Sequence, residues 1–216
     1  VYSSGLGFPI SQMKYNVQIW EITYETIYKG SNTIASGRAF IPLGNREEFS
    51  YLAFGHGTIT ANKDAPSELS IANIETFVYV AMASTGFITV VPDFIGFGSS
   101  KEIMHPYYVE ETSALAVIDG LRAVRELMNQ EEIRSDAELY LSGFSEGGYV
   151  AMATHKYIEE QGLEYFNLKA SFPACGGYDM KGVRDFFFDQ QIYERPYFMA
   201  YIAESYRSYY DIDTSW

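Results

Sequence analysis

Five residues near the middle of the chain, Gly143-Phe144-Ser145-Glu146-Gly147, restrict its fold more than any other segment. An apolar run at 137–142, predicted as a strand, precedes them, and apolar side chains at helical spacing follow. A strand that reverses directly into a helix crowds the positions two before and two after the central residue, so only very small residues fit there. The pattern predicts a sharp turn that presents the Ser145 hydroxyl at the carboxyl edge of a sheet, beside the Glu146 amide and the positive end of the helix dipole.

A glycine-rich turn between a strand and a helix can also be a phosphate-binding loop. Such loops carry Gly-x-Gly-x-x-Gly, or a Lys-Ser/Thr pair after the last glycine. Neither pattern occurs around Ser145, where Gly148 and Tyr149 follow the motif. We therefore interpret Ser145 as a nucleophile and not as part of an anion-binding turn.

The order of apolar segments predicts an α/β fold. Two long segments, 14–28 and 33–41, are joined by a glycine-containing turn and predict an antiparallel hairpin that stops at Pro42. Short apolar strands then alternate with amphipathic helices, which indicates parallel pairing with helices on both faces of the sheet. The predicted strands are 50–54, 87–91, 137–142 and 168–172, and the predicted helices are about 71–82, 109–128 and 150–162. The expected class is a three-layer α/β sandwich, mostly parallel, with an N-terminal antiparallel hairpin.

Length and composition fit one hydrophobic core. The chain has 216 residues, of which 47% are hydrophobic, and this size is within the range of a single domain. We expect residues 1–178 to form the α/β core and residues 179–216 to begin an aromatic-rich helical lid or cap, because the pattern changes after Tyr178. The aromatic side chains of this tail fit a lid over an apolar pocket and ordinary core packing equally well.

Charge and cysteine content exclude several function classes. The formal net charge is −13 and no basic run occurs, so we expect no nucleic-acid partner. The single cysteine, Cys175, allows no internal disulfide and no thiolate metal cluster, and we expect no cofactor and no metal site. No apolar run has the length of a membrane span, and the first eleven residues lack signal-peptide features, which predicts either a cytosolic protein or one whose leader has been removed.

A second glycine-bearing loop, Gly55-His56-Gly57-Thr58, follows the predicted strand at 50–54. A backbone amide in this loop can donate to the oxyanion of a tetrahedral intermediate, together with the amide of Glu146. Thr58 is the first choice for this donor and Gly57 is the alternative. The other interpretation is a plain turn in which His56 packs structurally.

Four segments resemble a known family: YLAFGHGT, VVPDFIGFGSS, HPYYVEETSALAVIDGLRAVREL and LYLSGFSEGG. Their order and spacing are similar to those of the secretory lipase and esterase group of the α/β-hydrolase superfamily, over roughly residues 14 to 178. The resemblance implies an α/β-hydrolase sandwich, serine-based hydrolysis of carboxylic esters, an oxyanion hole from Thr58 and Glu146, and export from the cell. It also implies a structural role for Asp93, while His56 and His105 are candidates for lining the substrate pocket.

The remaining members of a catalytic triad are harder to place. On this fold the chain order is Ser, then Asp or Glu, then His, yet the only histidines are His56, His105 and His155, and none follows the last predicted strand. Asp179 is a candidate acid because it follows a strand, although it also suits the cap of the next helix. We therefore expect the chain to be a truncated stretch of a longer polypeptide, whose remaining part completes the triad with two further strands.

Three functions are compatible with these patterns. The first is a serine hydrolase that cleaves carboxylic esters of small molecules or lipids through an acyl-enzyme on Ser145. The second is a serine peptidase of the same fold, because the motif does not encode the scissile bond. The third is a catalytically inactive, hydrolase-like binding module.

Overall fold

The computed structural model describes residues 10–44 and 48–213. The strands are β1 (Asn16–Tyr28), β2 (Ser31–Leu43), β3 (Phe49–Gly55), β4 (Phe87–Pro92), β5 (Ser135–Phe144) and β6 (Asn167–Ala174). The helices are α1 (Ile74–Ser84), α2 (Glu110–Gln130), α3 (Glu146–Gln161), α4 (Met180–Phe188) and α5 (Tyr197–Tyr209). Most of the first eleven residues, on which the leader prediction rests, and the outer ends of the predicted ranges 1–178 and 179–216 lie outside the described residues.

The six described strands form one sheet in the order β1-β2-β4-β3-β5-β6. β1 pairs with β2 and β2 pairs with β4 in antiparallel fashion, whereas β4, β3, β5 and β6 run parallel to one another. The chain returns to the sheet through helices between the parallel strands, as right-handed crossovers require. The predicted mostly parallel sheet with an N-terminal antiparallel hairpin is confirmed.

The predicted end of the hairpin at Pro42 is wrong, because β2 continues to Leu43 and Pro42 pairs with Val17 of β1. The pairing of β2 with β4 extends only over residues 37–40. Beyond Phe40, β2 therefore has one neighbouring strand instead of two. Proline has no N–H group, and at this point no second strand requires a hydrogen bond from it. The strand behaves as an edge strand at this point, which is where proline is tolerated.

Side chains of β4 alternate between two apolar clusters on opposite faces of the sheet. Ile88 and Val90 pack in the larger cluster with buried residues of α2 and α3, including Leu121. Val91 packs in the smaller cluster with Phe40 and with side chains of α1. Because consecutive strand residues point to opposite faces, a continuous apolar run can supply both clusters. The result is the predicted three-layer arrangement, with α1 on one face and α2 and α3 on the other.

The first predicted helix begins three residues later than its apolar spacing indicated. α1 starts at Ile74, and the preceding Asn73 accepts a hydrogen bond from the Glu75 amide at 2.8 Å as its N-cap. Ile71 is 79% exposed and lies outside the helix. The cap residue therefore decides the start, because it satisfies an amide that has no intrahelical partner.

The two helices of the tail differ in how far their residues are buried against the core. α4 has no buried residues, whereas α5 buries Ser205, whose hydroxyl donates to the Tyr107 carbonyl at 3.2 Å. The Tyr206 hydroxyl donates to the neighbouring Tyr108 carbonyl at 3.0 Å. α5 is thus docked on the segment that leads into α2. Among the described residues, none of the helices is both long enough and apolar enough to span a bilayer.

Candidate active site

Ser145 lies in the turn between the end of β5 and the start of α3, as predicted. Its backbone has φ 57° and ψ −119°, a left-handed conformation that costs a residue with a side chain on the order of 1–3 kcal/mol. The Ser145 amide donates to the Ala174 carbonyl at the end of β6, at 2.8 Å. The side chain is half-buried. The turn is therefore held in a strained conformation by the neighbouring strand.

Close backbone contacts explain the glycines on both sides of Ser145. A Cβ atom on Gly147 would lie 2.6 Å from the His56 carbonyl oxygen and still closer to the Gly55 carbonyl, and a Cβ on Gly143 would overlap the Gly147 carbonyl. A Cβ on Gly55 would lie 2.7 Å from the Gly147 Cα. Strand β3, strand β5 and the first turn of α3 therefore meet backbone to backbone, and this contact brings the second glycine-bearing loop beside the serine.

The loop Gly55-His56-Gly57-Thr58, called the Gly57 loop from here on, lies beside the turn that carries Ser145. A Cβ built on Gly57 would be 4.0 Å from the Ser145 Cβ and 3.8 Å from the Phe144 carbonyl oxygen. Within the described part of the chain, the amides of Thr58 and Glu146 donate to no protein acceptor. An oxyanion hole needs two such amides close to the nucleophile. The assignment of Thr58, with Gly57 as its alternative, stays a prediction.

The buried side chain of His56 connects this loop to the end of β4. The imidazole is 3% exposed, its Nδ1 lies 2.8 Å from the Gly57 carbonyl oxygen and its Nε2 lies 3.2 Å from the Asp93 carbonyl oxygen. The ring stacks on Phe94 with 4.2 Å between centroids. Both ring nitrogens therefore face backbone carbonyls, which favours the interpretation in which His56 packs structurally. Its role in a substrate pocket stays a prediction.

Asp93 joins three separate segments at the carboxyl end of β4. Its Oδ2 accepts from the Ser36 hydroxyl at 2.6 Å, and its Oδ1 accepts from the Ser67 amide at 2.8 Å. The residue is fully buried. A buried carboxylate needs such donors to offset its desolvation. These bonds support the structural role that the resemblance implied for Asp93.

Glu146 and His105 form a buried pair that sequence reasoning missed. His105 Nε2 lies 2.6 Å from Glu146 Oε1, and His105 Nδ1 donates to the Ile95 carbonyl oxygen at 2.5 Å. Both side chains are almost fully buried, at 5% and 2% exposure. Glu146 Oε2 is also buried and has no hydrogen-bond partner among the described residues. The two residues are 41 positions apart, so no local spacing could have indicated the pair.

None of the three histidines hydrogen-bonds to Ser145, and each has both ring nitrogens occupied elsewhere. His56 and His105 are held as described above, and His155 lies on α3 with Nδ1 2.7 Å from the Ser171 hydroxyl and Nε2 3.2 Å from Glu159. The described part of the chain therefore contains no histidine that is placed as the general base of Ser145. This agrees with the sequence argument from chain order.

Asp179, the candidate acid, is the N-cap of α4. Its exposed carboxylate accepts from the Gly182 amide at 2.9 Å. This is the second of the two interpretations that the sequence left open, and such a cap typically stabilises a helix by about 1 kcal/mol. A role as the triad acid stays a prediction.

Tyrosines connect the site to α5. The Tyr107 hydroxyl shares a 2.7 Å hydrogen bond with Thr58 Oγ1, and the Tyr107 ring stacks on Tyr201 of α5 with 4.7 Å between centroids. Burial, and secondly the charge of Glu146, raise the pKa of both Tyr107 and Tyr201 well above the usual range. Both phenols are therefore protonated at neutral pH, and that of Tyr107 can hydrogen-bond to Thr58 Oγ1.

A cavity of about 620 Å³ lies between α5 and the loop before α2. His105, Phe97 and Tyr201 are among its lining residues. This volume is in the range of small-molecule sites. His105 therefore borders a cavity, as its candidacy for the substrate pocket required, although occupation of that cavity by substrate stays a prediction.

Comparison with known proteins places these features in a family context. A family profile described as Secretory lipase matches residues 63–161, which include Ser145 and His105. No curated protein sequence matches the chain. The resemblance to the secretory lipase and esterase group, predicted from four sequence segments, is confirmed for this part of the chain.

Solved structures agree with that match. A Legionella pneumophila protein described as a hydrolase superposes with a TM-score of 0.83 at 28% identity, over 94% of this chain and 53% of that protein. A rice cell wall degrading esterase from Xanthomonas oryzae superposes with a TM-score of 0.81 at 29% identity, over 92% of this chain and 54% of the esterase. Candida antarctica lipase A, at 20% identity and a TM-score of 0.55, shares the fold alone. The α/β-hydrolase fold is confirmed, and the chain spans about half the length of the first two structures.

Proposed function

We propose that this chain, which has the α/β-hydrolase fold and resembles secretory lipases, carries the nucleophile of a serine hydrolase that cleaves carboxylic esters. The observation that carries the proposal is the left-handed backbone of Ser145 at a strand-to-helix turn, with the Gly57 loop directly beside it. Strain of this kind persists only where surrounding structure enforces it, and it is concentrated at functional sites. Here the Ser145 amide is bonded to the Ala174 carbonyl, and the close approach of Gly55 and Gly147 keeps the start of α3 against β3.

The reaction would proceed through an acyl-enzyme. Ser145 Oγ attacks the ester carbonyl carbon as its proton passes to a general base, and the carbonyl oxygen becomes an oxyanion. The amides of Thr58 and Glu146 donate to that oxyanion, and the N-terminus of α3 adds a favourable dipole. Collapse breaks the bond to the leaving oxygen, which takes the proton back from the base and departs as the alcohol. Water, deprotonated by the same base, then attacks the acyl carbon, and the acid leaves as Ser145 Oγ recovers its proton. Loss of one oxyanion donor typically lowers kcat by about 10²–10³.

The general base and its acid are proposed to lie in polypeptide outside this chain. Two observations support this: all three histidines have both ring nitrogens engaged away from Ser145, and the chain spans about half of the related structures. Asp179 stays a candidate acid only if it leaves its cap on α4. The tail, 179–216, is proposed to begin a lid, since α5 borders the cavity next to His105.

Labelling with a fluorophosphonate tests the nucleophile. In the full-length polypeptide that contains this chain, we expect one covalent adduct, mapped to the peptide with Ser145 and abolished by Ser145→Ala. Ser142→Ala is the matched control, because Ser142 lies on β5 and its hydroxyl donates to the Phe172 carbonyl at 3.3 Å. A folded full-length protein without any adduct, or with an adduct that survives Ser145→Ala, would contradict the proposal.

The substrate is proposed to be a small-molecule or lipid ester, and the enzyme is proposed to be exported. The Secretory lipase match supports both points. Activity on p-nitrophenyl acyl esters without activity on peptide anilides is the expected result. The reverse result would identify a peptidase of the same fold, and a full-length protein that stays unlabelled and inactive on both would indicate a binding module.

A further inference from the structure

One short segment contacts both halves of the proposed oxyanion hole. His105 bonds to the side chain of Glu146, and Tyr107, two residues later, bonds to the side chain of Thr58. Glu146 and Thr58 are also the two residues whose amides are proposed to receive the oxyanion. The two donors come from opposite sides of Ser145 in the chain, yet their side chains are held by the same loop before α2.

The first contact restrains the start of α3. Glu146 is the first residue of the helix, and its carboxylate is buried against His105. The other nitrogen of His105 donates to the Ile95 carbonyl, in the loop that follows β4. A side chain restrained at its far end by a buried hydrogen bond limits rotation of its own backbone. The direction of the Glu146 amide is therefore coupled to the position of His105.

The second contact restrains the Gly57 loop. The Tyr107 side chain is 3% exposed, and its ring lies against Tyr108 and Tyr201, at centroid distances of 4.5 and 4.7 Å. Its phenol is thus a rigid partner for the Thr58 hydroxyl at 2.7 Å. The His56 ring restrains the carbonyl of Gly57, and the bond to Tyr107 adds a restraint on Thr58 itself.

We propose that the segment His105-Pro106-Tyr107 is a positioning element that fixes the spacing between the two oxyanion-hole amides through the side chains of Glu146 and Thr58. The proposal rests on the proposed ester hydrolysis at Ser145. In this positioning role His105 and Tyr107 act through the two donors and not by contact with the reacting atoms. Loss of the positioning therefore weakens stabilisation of the transition state and leaves ground-state binding of the substrate unchanged.

A double-mutant cycle tests the Tyr107 contact in the full-length enzyme, with a p-nitrophenyl ester as substrate. Tyr107→Phe and Thr58→Val each remove one hydroxyl and keep the Thr58 amide. We expect each to lower kcat about tenfold, below the loss of a whole donor, with KM unchanged. The double variant should be no slower than either single variant, because both substitutions remove the same bond. Tyr149→Phe is the matched control and should match wild type, since its hydroxyl donates to the Tyr108 carbonyl and not to Thr58 or Glu146.

The Glu146 contact is tested by comparing two substitutions at one position. Glu146→Gln keeps a side-chain group that can donate to His105 Nε2 while His105 Nδ1 still donates to Ile95. Glu146→Leu removes the hydrogen bond and keeps approximate size. We expect kcat for Glu146→Gln to exceed that for Glu146→Leu at least about tenfold, with similar KM values.

The results separate failure of this inference from failure of the proposed function. A wild-type protein that neither hydrolyses the ester nor reacts with a fluorophosphonate disproves the function itself. An active wild type with Tyr107→Phe and Thr58→Val within about twofold of Tyr149→Phe refutes the positioning role. Independent, multiplicative losses in the double variant, or losses that appear in KM, refute it as well. Since Tyr107→Phe and Thr58→Val are nearly isosteric, misfolding of Glu146→Leu does not remove the test.

Discussion

Replacement of Gly147 by alanine measures how strongly the turn depends on backbone contact. The new Cβ would lie 2.6 Å from the His56 carbonyl oxygen, where ordinary contact begins at 3.4 Å, and closer still to the Gly55 carbonyl. The Gly55 carbonyl is the nearer group, so α3 and β3 would have to separate by more than the roughly 0.8 Å that the His56 contact alone requires, and overpacking of this severity costs about 3 kcal/mol. Alanine is favoured over glycine inside a helix by about 1 kcal/mol. The clash is the larger effect, so we expect a net loss of about 2 kcal/mol.

The assay is thermal unfolding followed by circular dichroism, with wild type, Gly147→Ala and Gly57→Ala compared under one condition. A loss of 2 kcal/mol should lower Tm by roughly 4–8 °C for a chain of this size. Gly57→Ala is the matched control, because the nearest described atom to its Cβ position beyond its chain neighbours is the Phe144 carbonyl oxygen at 3.8 Å, an ordinary contact, and its Tm should stay close to wild type. A Tm for Gly147→Ala equal to or above that of wild type would mean that helix propensity dominates, and the argument from close contact would be refuted.

Two further predictions concern the surface of α1 and the buried phenols. Asn73→Ala removes the side chain that accepts from the Glu75 amide and should cost about 1 kcal/mol, measured as a Tm decrease relative to Asn73→Ser, which keeps a capping oxygen. Burial first, and nearby carboxylates second, raise the pKa of Tyr24, Tyr107 and Tyr201. Their contribution to stability is complete below the ordinary tyrosine pKa of about 10 and is lost as pH rises above it. Phenolate absorbance should therefore rise in two steps, the second coinciding with unfolding, and a single step near pH 10 without unfolding would contradict this.

Local patterns predicted the turn at Ser145 and the order of the elements around it. The requirement for glycine at 143 and 147 could be predicted from the sequence because it depends on local backbone geometry. A strand that turns directly into a helix has no room for side chains two residues before and after its central residue. Apolar spacing likewise located the sheet strands and the main helices. The start of α1 and the continuation of β2 through Pro42 were missed, because a cap at Asn73 and the length of a neighbouring strand decided them.

The partners of the buried polar side chains were decided only in the tertiary structure. Glu146 was recognised as the residue after the nucleophile, yet its carboxylate pairs with His105, and Thr58 pairs with Tyr107, 49 positions away. These contacts arise because β3 lies between β4 and β5, which brings the loops after all three strands to one edge of the sheet. Sequence periodicity reports which face of an element is buried, since that depends on local geometry. It does not report which distant side chain meets a buried carboxylate, because that depends on strand order and on how the loops pack together.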